Sequence, residues 1–176
     1  MRRKHVQQEW KDARTLHDLG QLMARWLEGR IRWCPGYCGD RIDAETLPLV
    51  RHLAAYNRSG WLTVDSQPGD TSGQWRQRAA VQGYAPAPVA DRIARTAQQA
   101  GLLVSLGQPL DATTRNGRTV AWYGEPLPDR DLRAQWGKVG AGAYDELRRA
   151  RHITVAAPEF GPAGNRMWPL LTDALR

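Results

Sequence analysis

The stretch AETLPLVRHLAAYNRSGWLTVDSQPG, residues 44–69, reads as a helix, a turn and a strand in immediate succession. Leu47, Val50, Leu53, Ala54 and Asn57 recur at the helical period, which predicts a helix over Thr46 to Asn57. Pro48 restricts where that helix begins, because a residue without an N–H is comfortable only in the first turn, where the donor would be unpaired anyway. Glu45 and Thr46 therefore belong at the cap or in the first turn, where backbone donors point outward and an acidic residue is favoured. Asn57-Arg-Ser-Gly60 is turn chemistry, and Trp61-Leu-Thr-Val64 reads as a short buried strand stopping at Gln67-Pro-Gly69. That strand delivers Thr63, Asp65 and Ser66 to a loop edge.

Upstream, residues 1–9 read as a polar arm, and the globular domain is expected over 10–176. Leu16, Leu19, Leu22, Met23 and Trp26 predict an amphipathic helix over Asp12 to Leu27, ending near Gly29. Arg32 to Arg41, with Pro35, Gly36, Gly39 and Asp40, is a loop. Downstream, Asp70 to Gln74 is a polar excursion, Arg78 to Tyr84 a second strand, and Pro88 to Ala100 a third helix stopped by Gly101. Leu102 to Leu106 and Arg118 to Tyr123 are apolar enough for strands, with Asp111 to Gly117 a connecting loop. A helix over Leu132 to Arg149, broken near Gly137 to Gly142, precedes a strand over His152 to Ala156 and a last helix over Met167 to Leu175. This order predicts a mixed α/β fold of the α+β kind, one layered domain with a central sheet of about five strands flanked by helices.

The composition excludes several classes. No apolar run approaches the roughly 18 residues of a membrane span, and the basic start lacks an apolar segment behind it, so a cytoplasmic, unprocessed chain without membrane contact is expected. Cys34 and Cys38 are too few for a disulfide scaffold and poorly spaced for zinc, and they read as structural thiols; no metal is expected. His5, His17, His52 and His152 form no readable constellation. The net charge of +7 invites a nucleic-acid reading. Yet three of the 25 basic residues are lysine and the rest arginine, interleaved with acids in Asp129-Arg-Asp-Leu-Arg133 and Asp145-Glu-Leu-Arg-Arg149, as on a solvated surface. Gly137, Gly140 and Gly142 match no phosphate-loop or dinucleotide fingerprint. Trp122, Trp136 and Trp168 read as core residues, one of which could stack on a base.

The block Glu45-Thr46, a helix ending Asn57-Arg58-x-Gly60, and Leu62-Thr-Val-Asp-Ser-Gln-Pro68 resembles the C-terminal regulatory domain of eukaryotic-type methylenetetrahydrofolate reductases. That family pairs Glu-Thr with Asn-Arg-x-Gly and a Leu-Thr-Ile-Asn-Ser-Gln-Pro strand. Its later landmarks resemble Gln77 to Tyr84, Val120-Ala-Trp122, Trp136-Gly-Lys138, and Ile153 to Phe160 with Trp168 and Asp173, so the likeness runs from about Trp10 to Leu175. The resemblance implies an allosteric domain that binds S-adenosylmethionine and S-adenosylhomocysteine and reports methylation status to a flavin-dependent barrel. With no room in this chain for that barrel, neither FAD nor the folate reductase reaction is expected. Carried over by position, the ligand contacts fall on Glu45, Thr46, Thr63 and Ser66; Asp65 stands where the family has asparagine, near the sulfonium, and Ala121 where it has threonine, with Thr119 two positions away. The ligand's ammonium, ribose and carboxylate call for a carboxylate, hydroxyls and backbone donors, which this set supplies.

Without the resemblance, Glu45 and Thr46 would read as helix capping residues and Ser66 to Gly69 as a turn. Three functional classes follow. The first is a sensor or regulatory module acting on a protein partner or a second copy, which needs differential affinity for its ligands or states. The second is a small enzyme consuming S-adenosylmethionine by methyl transfer or sulfonium cleavage, with Glu45, Asp65 or Tyr84 assisting, although no nucleophile and base pair stands out and the catalytic residues are unassigned. The third, an arginine-rich nucleic-acid binder, ranks last.

Overall fold

The computed structural model describes residues 3–36 and 42–175, the side chain of Arg3 excepted. Cys38, Gly39 and Asp40 lie outside them, so only Cys34 of the two thiols can be placed, and it is buried. The chain runs α1 (Arg3–Asp12), α2 (Leu16–Leu27), a 3-10 segment (Ala44–Leu49), α3 (Val50–Arg58), β1 (Leu62–Gln67), β2 (Asp70–Ser72), β3 (Trp75–Ala85) and α4 (Ala87–Gln99). It continues with β4 (Leu103–Ser105), β5 (Leu110–Arg115), β6 (Arg118–Tyr123), α5 (Asp129–Trp136), α6 (Ala141–Arg149), β7 (Arg151–Phe160), a 3-10 turn (Pro162–Arg166) and α7 (Met167–Ala174). No helix among the described residues is long and apolar enough to cross a membrane.

A curled, antiparallel sheet of seven strands, against about five expected, carries the fold. Its spine is the long β3, and the order is β4-β7-β3-β5-β6, with β1 and β2 on the other edge of β3. The first part of β3 pairs with β2 and β5, and the remainder pairs with β1 and β7. One side of the sheet supplies Val81, Ile153 and Val155 to a core shared with α2, α3, α4 and α7. In that core Tyr56 stacks on Trp61 at 5.6 Å and on Trp168 at 6.5 Å, and its hydroxyl donates to the Trp168 carbonyl at 2.8 Å.

Two stretches expected as loops are strands. The Asp111-to-Gly117 segment is mostly β5, and only Asn116-Gly117, at φ +51° and +74°, forms the turn to β6. Both positive dihedrals fit the two-residue hairpin turn that Asn-Gly favours, while Thr113 and Thr114 are β-branched strand formers despite their polarity. Asp70 to Ser72 likewise pairs with β3 across a turn opened by Gly73 at φ +57°.

Helix ends also moved for identifiable reasons. The helix predicted over Asp12 to Leu27 is split: Asp12 ends α1, and α2 starts at Leu16 behind Thr15. Thr15 Oγ1 accepts from Asp18 N at 3.1 Å while the Asp18 carboxylate accepts from Thr15 N at 3.0 Å, a reciprocal capping box. Thr15→Ala is expected to lower stability by about 1 kcal/mol. In urea unfolding this reads as a lower midpoint with an unchanged slope. The residues read as a polar arm include most of α1, which buries Val6 and Trp10. Pro48 falls inside the 3-10 segment, so the α-helical hydrogen bonding of α3 begins only at Val50.

Candidate ligand site at the sheet edge

The 3-10 segment that carries Glu45 and Thr46 packs against β1, the strand that carries Thr63, Asp65 and Ser66. Glu45 is exposed and Thr46 half-buried, and neither side chain hydrogen-bonds within the described residues. The capping position belongs to Asp43, whose carbonyl accepts from Thr46 N at 3.0 Å. Glu45 and Thr46 are therefore not engaged as caps.

Thr63 is buried under α3. Asn57 Nδ2 donates to Thr63 Oγ1 at 2.6 Å and Asn57 Oδ1 accepts from Thr63 N at 3.2 Å, so the Asn-Arg-x-Gly turn and the strand are joined by one buried amide. With its oxygen accepting from Asn57, the Thr63 hydroxyl still has a proton to donate. A bulge between Thr63 and Asp65 breaks strict alternation. Thr63 and Ser66 stand opposite Gly83 and Val81, whereas Asp65 stands opposite Gln82. Thr63 and Ser66 therefore lie on one face of β1 and Asp65 on the other, while Glu45 and Thr46 sit on the neighbouring 3-10 segment and Ala121 on β6.

On the Gln82 face, Tyr123 of β6 hydrogen-bonds the Asp65 carboxylate, Ser66 N donates to it at 2.8 Å, and Gln82 Nε2 reaches it at 3.5 Å. The Asp65 side chain retains exposed surface, yet the protein around it withholds enough water to push its carboxyl above the ordinary value; the three hydrogen bonds offset part of that rise. Ala121 lies one strand repeat before Tyr123, with Thr119 a repeat before that; its cross-strand partner is the buried Thr113. A threonine hydroxyl therefore sits directly across from the position where the strand itself has alanine.

The remaining motif residues are structural. Gln67 Nε2 donates to the carbonyls of Arg78 at 2.9 Å and Ala112 at 3.1 Å, tying β1 to β3 and β5. Gly69 exchanges two hydrogen bonds with the Asn165 amide. Trp136 and Trp168 are core residues as expected, but Trp122 is 60% exposed on the outer face of β6. An alternating strand at the sheet edge sends every second side chain outward, and the apolar reading of the segment overlooked this. Tyr123, Gln82 and Thr113 were missed; the shared face of Thr119, Ala121 and Tyr123 was the available signal for Tyr123.

Beside the 3-10 segment opens a cleft of about 890 Å³, lined by Trp26, Ile31, Ala44, Leu47 and Val50 among others. Among the described residues no three His, Cys, Asp or Glu side chains converge as a metal site would require. Residues 5–176 match a family model described as Domain of unknown function (DUF6919). No curated protein matches the chain.

Proposed function

From the premise that the chain belongs to the DUF6919 family, whose description carries no activity, we propose that this domain binds S-adenosylmethionine and S-adenosylhomocysteine at the β1 edge. It does so as a regulatory-type module akin to the methylenetetrahydrofolate reductase regulatory domain, on which a partner reads the ligand ratio. The observation that carries this reading is the approach of two distant segments, 62–67 and 118–123, at Asp65, whose carboxylate is bonded by Tyr123, Ser66 and Gln82, with the 3-10 segment packed against the same strand.

The chemistry supports it. Asp65 is a carboxylate whose ionised form is disfavoured by its surroundings, and a sulfonium beside it relieves that penalty. Glu45 and Thr46 offer an unengaged carboxylate and hydroxyl for the ligand's ammonium or ribose, and Thr63 and Ser66 offer neutral hydroxyls. S-adenosylhomocysteine has the same groups but a neutral sulfur, so Asp65 is the residue through which the two ligands differ. Differential affinity is what a sensor requires.

Asp65→Asn, which places there the asparagine of the methylenetetrahydrofolate reductase motif, tests this directly. The expected result is about a tenfold loss in affinity for S-adenosylmethionine, just above the ~1 kcal/mol upper end for an exposed ion pair, with little change for S-adenosylhomocysteine. Equal losses for both ligands would remove Asp65 from the discrimination. The linkage sign gives a second readout. A carboxyl raised above its unfolded value binds more protons when folded, so its contribution to stability falls as pH rises through the unfolded and then the folded value. The asparagine variant is accordingly more stable than wild type at neutral pH, and the gain disappears in acid.

A further inference from the structure

A second cleft, of about 540 Å³, opens at the ends of β3 and β7 beneath α5 and α6, within the size range of small-molecule sites. None of its lining residues is Glu45, Thr46, Thr63, Asp65, Ser66 or Ala121. Its floor holds two aromatic rings with directed polar atoms. His152 Nδ1 lies 3.1 Å from the Gly124 carbonyl, which only accepts, so Nδ1 carries the proton and Nε2 is a bare acceptor. Nε2 has no partner among the described residues. Burial lowers the imidazole below its ordinary value, against the opposing pull of the Gly124 bond, and so keeps it neutral. Tyr84 packs edge-on to His152 at 5.1 Å; its hydroxyl accepts from Leu127 N at 3.1 Å and keeps its own proton to donate.

The walls are Leu106, Leu127, Leu132 and Leu147, and the rim carries Arg148 and Arg151 against the single acid Asp129. Arg148 stands 3.7 Å from Asp129, a loose pairing, while Arg151 is held by Asp91 at 2.5 Å. The cleft thus offers a neutral acceptor beside a neutral donor at its floor, apolar walls, and at its rim an arginine, Arg148, that is only loosely paired.

We propose that this cleft is a separate ligand site for a small aromatic carboxylate bearing a neutral hydroxyl. The ring lies between the leucines, the hydroxyl donates to His152 Nε2, and the carboxylate faces Arg148. Its lining residues are separate from those proposed at the β1 edge.

The test is nitrogen-labelled protein titrated with para-hydroxybenzoate and followed by two-dimensional NMR, with benzoate and para-hydroxybenzyl alcohol as matched probes. The expected result is saturable shifts at the His152 ring and at the Gly124 and Leu127 amides. Benzoate, lacking the hydroxyl, and the alcohol, lacking the charge, each bind about tenfold more weakly, the scale of one pocket hydrogen bond. Arg148→Gln, at a half-exposed position, keeps the fold and narrows the gap between the acid and the alcohol. Equal affinity for the three probes, shifts that do not saturate, or shifts confined to other residues would each overturn the proposal.

Discussion

Arg78→Met is expected to lower the unfolding free energy by about 3 kcal/mol, the lower end for breaking a buried ion pair. The lower end applies because Asp111 is 35% exposed and finds water when the guanidinium is gone. The guanidinium is nearly buried where the sheet divides. Its Nε donates to the Asp111 carbonyl at 3.0 Å, its terminal nitrogens reach the Asp111 carboxylate and the Ala157 and Pro158 carbonyls, and its plane covers Phe160 at 3.7 Å. One side chain thus fastens β3, β5 and β7 together. Methionine keeps the apolar stem but leaves those carbonyls without donors. Arg78→Lys is expected to recover little, since one ammonium cannot reproduce a planar fork serving separate acceptors. Urea unfolding of the two variants reads both effects; a midpoint unchanged from wild type in Arg78→Met would show that the sheet closes without this residue.

Gly83→Val has a comparable expected effect and a sharper functional consequence. A Cβ at Gly83 would stand 2.1 Å from the Leu62 carbonyl oxygen and 2.7 Å from Thr63 Cα, so β1 must leave its place beside β3. The clash is with backbone, which gives little, and the expected loss is about 3 kcal/mol, the upper part of the range for overpacking. Because β1 carries Thr63, Asp65 and Ser66, the variant is expected to lose S-adenosylmethionine binding at temperatures where circular dichroism still reports a folded protein. Retained binding with a displaced β1 would place the ligand elsewhere.

Legibility in the sequence followed the range of the interaction that decides each element. α4 and β7 were readable because periodicity and a glycine or apolar run mark them locally, and the break between α5 and α6 because glycines cluster there. β5 and β2 were hidden because their strand character comes from pairing with β3, while their residues carry the polar look of loops. Trp122 looked like core because a sequence window does not tell an edge strand from a central one. At the site, Glu45, Thr46, Thr63 and Ser66 were singled out by a motif spanning 26 contiguous residues. The approach of Tyr123 to Asp65 depends on how β6 curls over the sheet, and no local pattern encodes that, whereas Thr113 comes opposite Ala121 through the Asn116-Gly117 hairpin, whose first strand the polar residues concealed. The bulge after Thr63, which turns Asp65 away from Thr63 and Ser66, is likewise a property of the paired strands.

The most direct test of the central claim is calorimetry of the purified protein with S-adenosylmethionine and with S-adenosylhomocysteine, alongside Glu45→Ala, followed by chromatography of the recovered ligand. Saturable binding by wild type, weakening in the variant and ligand recovered intact are the predicted results. Absence of binding for both ligands would contradict the proposed site, and recovery of a converted ligand would make the protein an enzyme rather than a sensor.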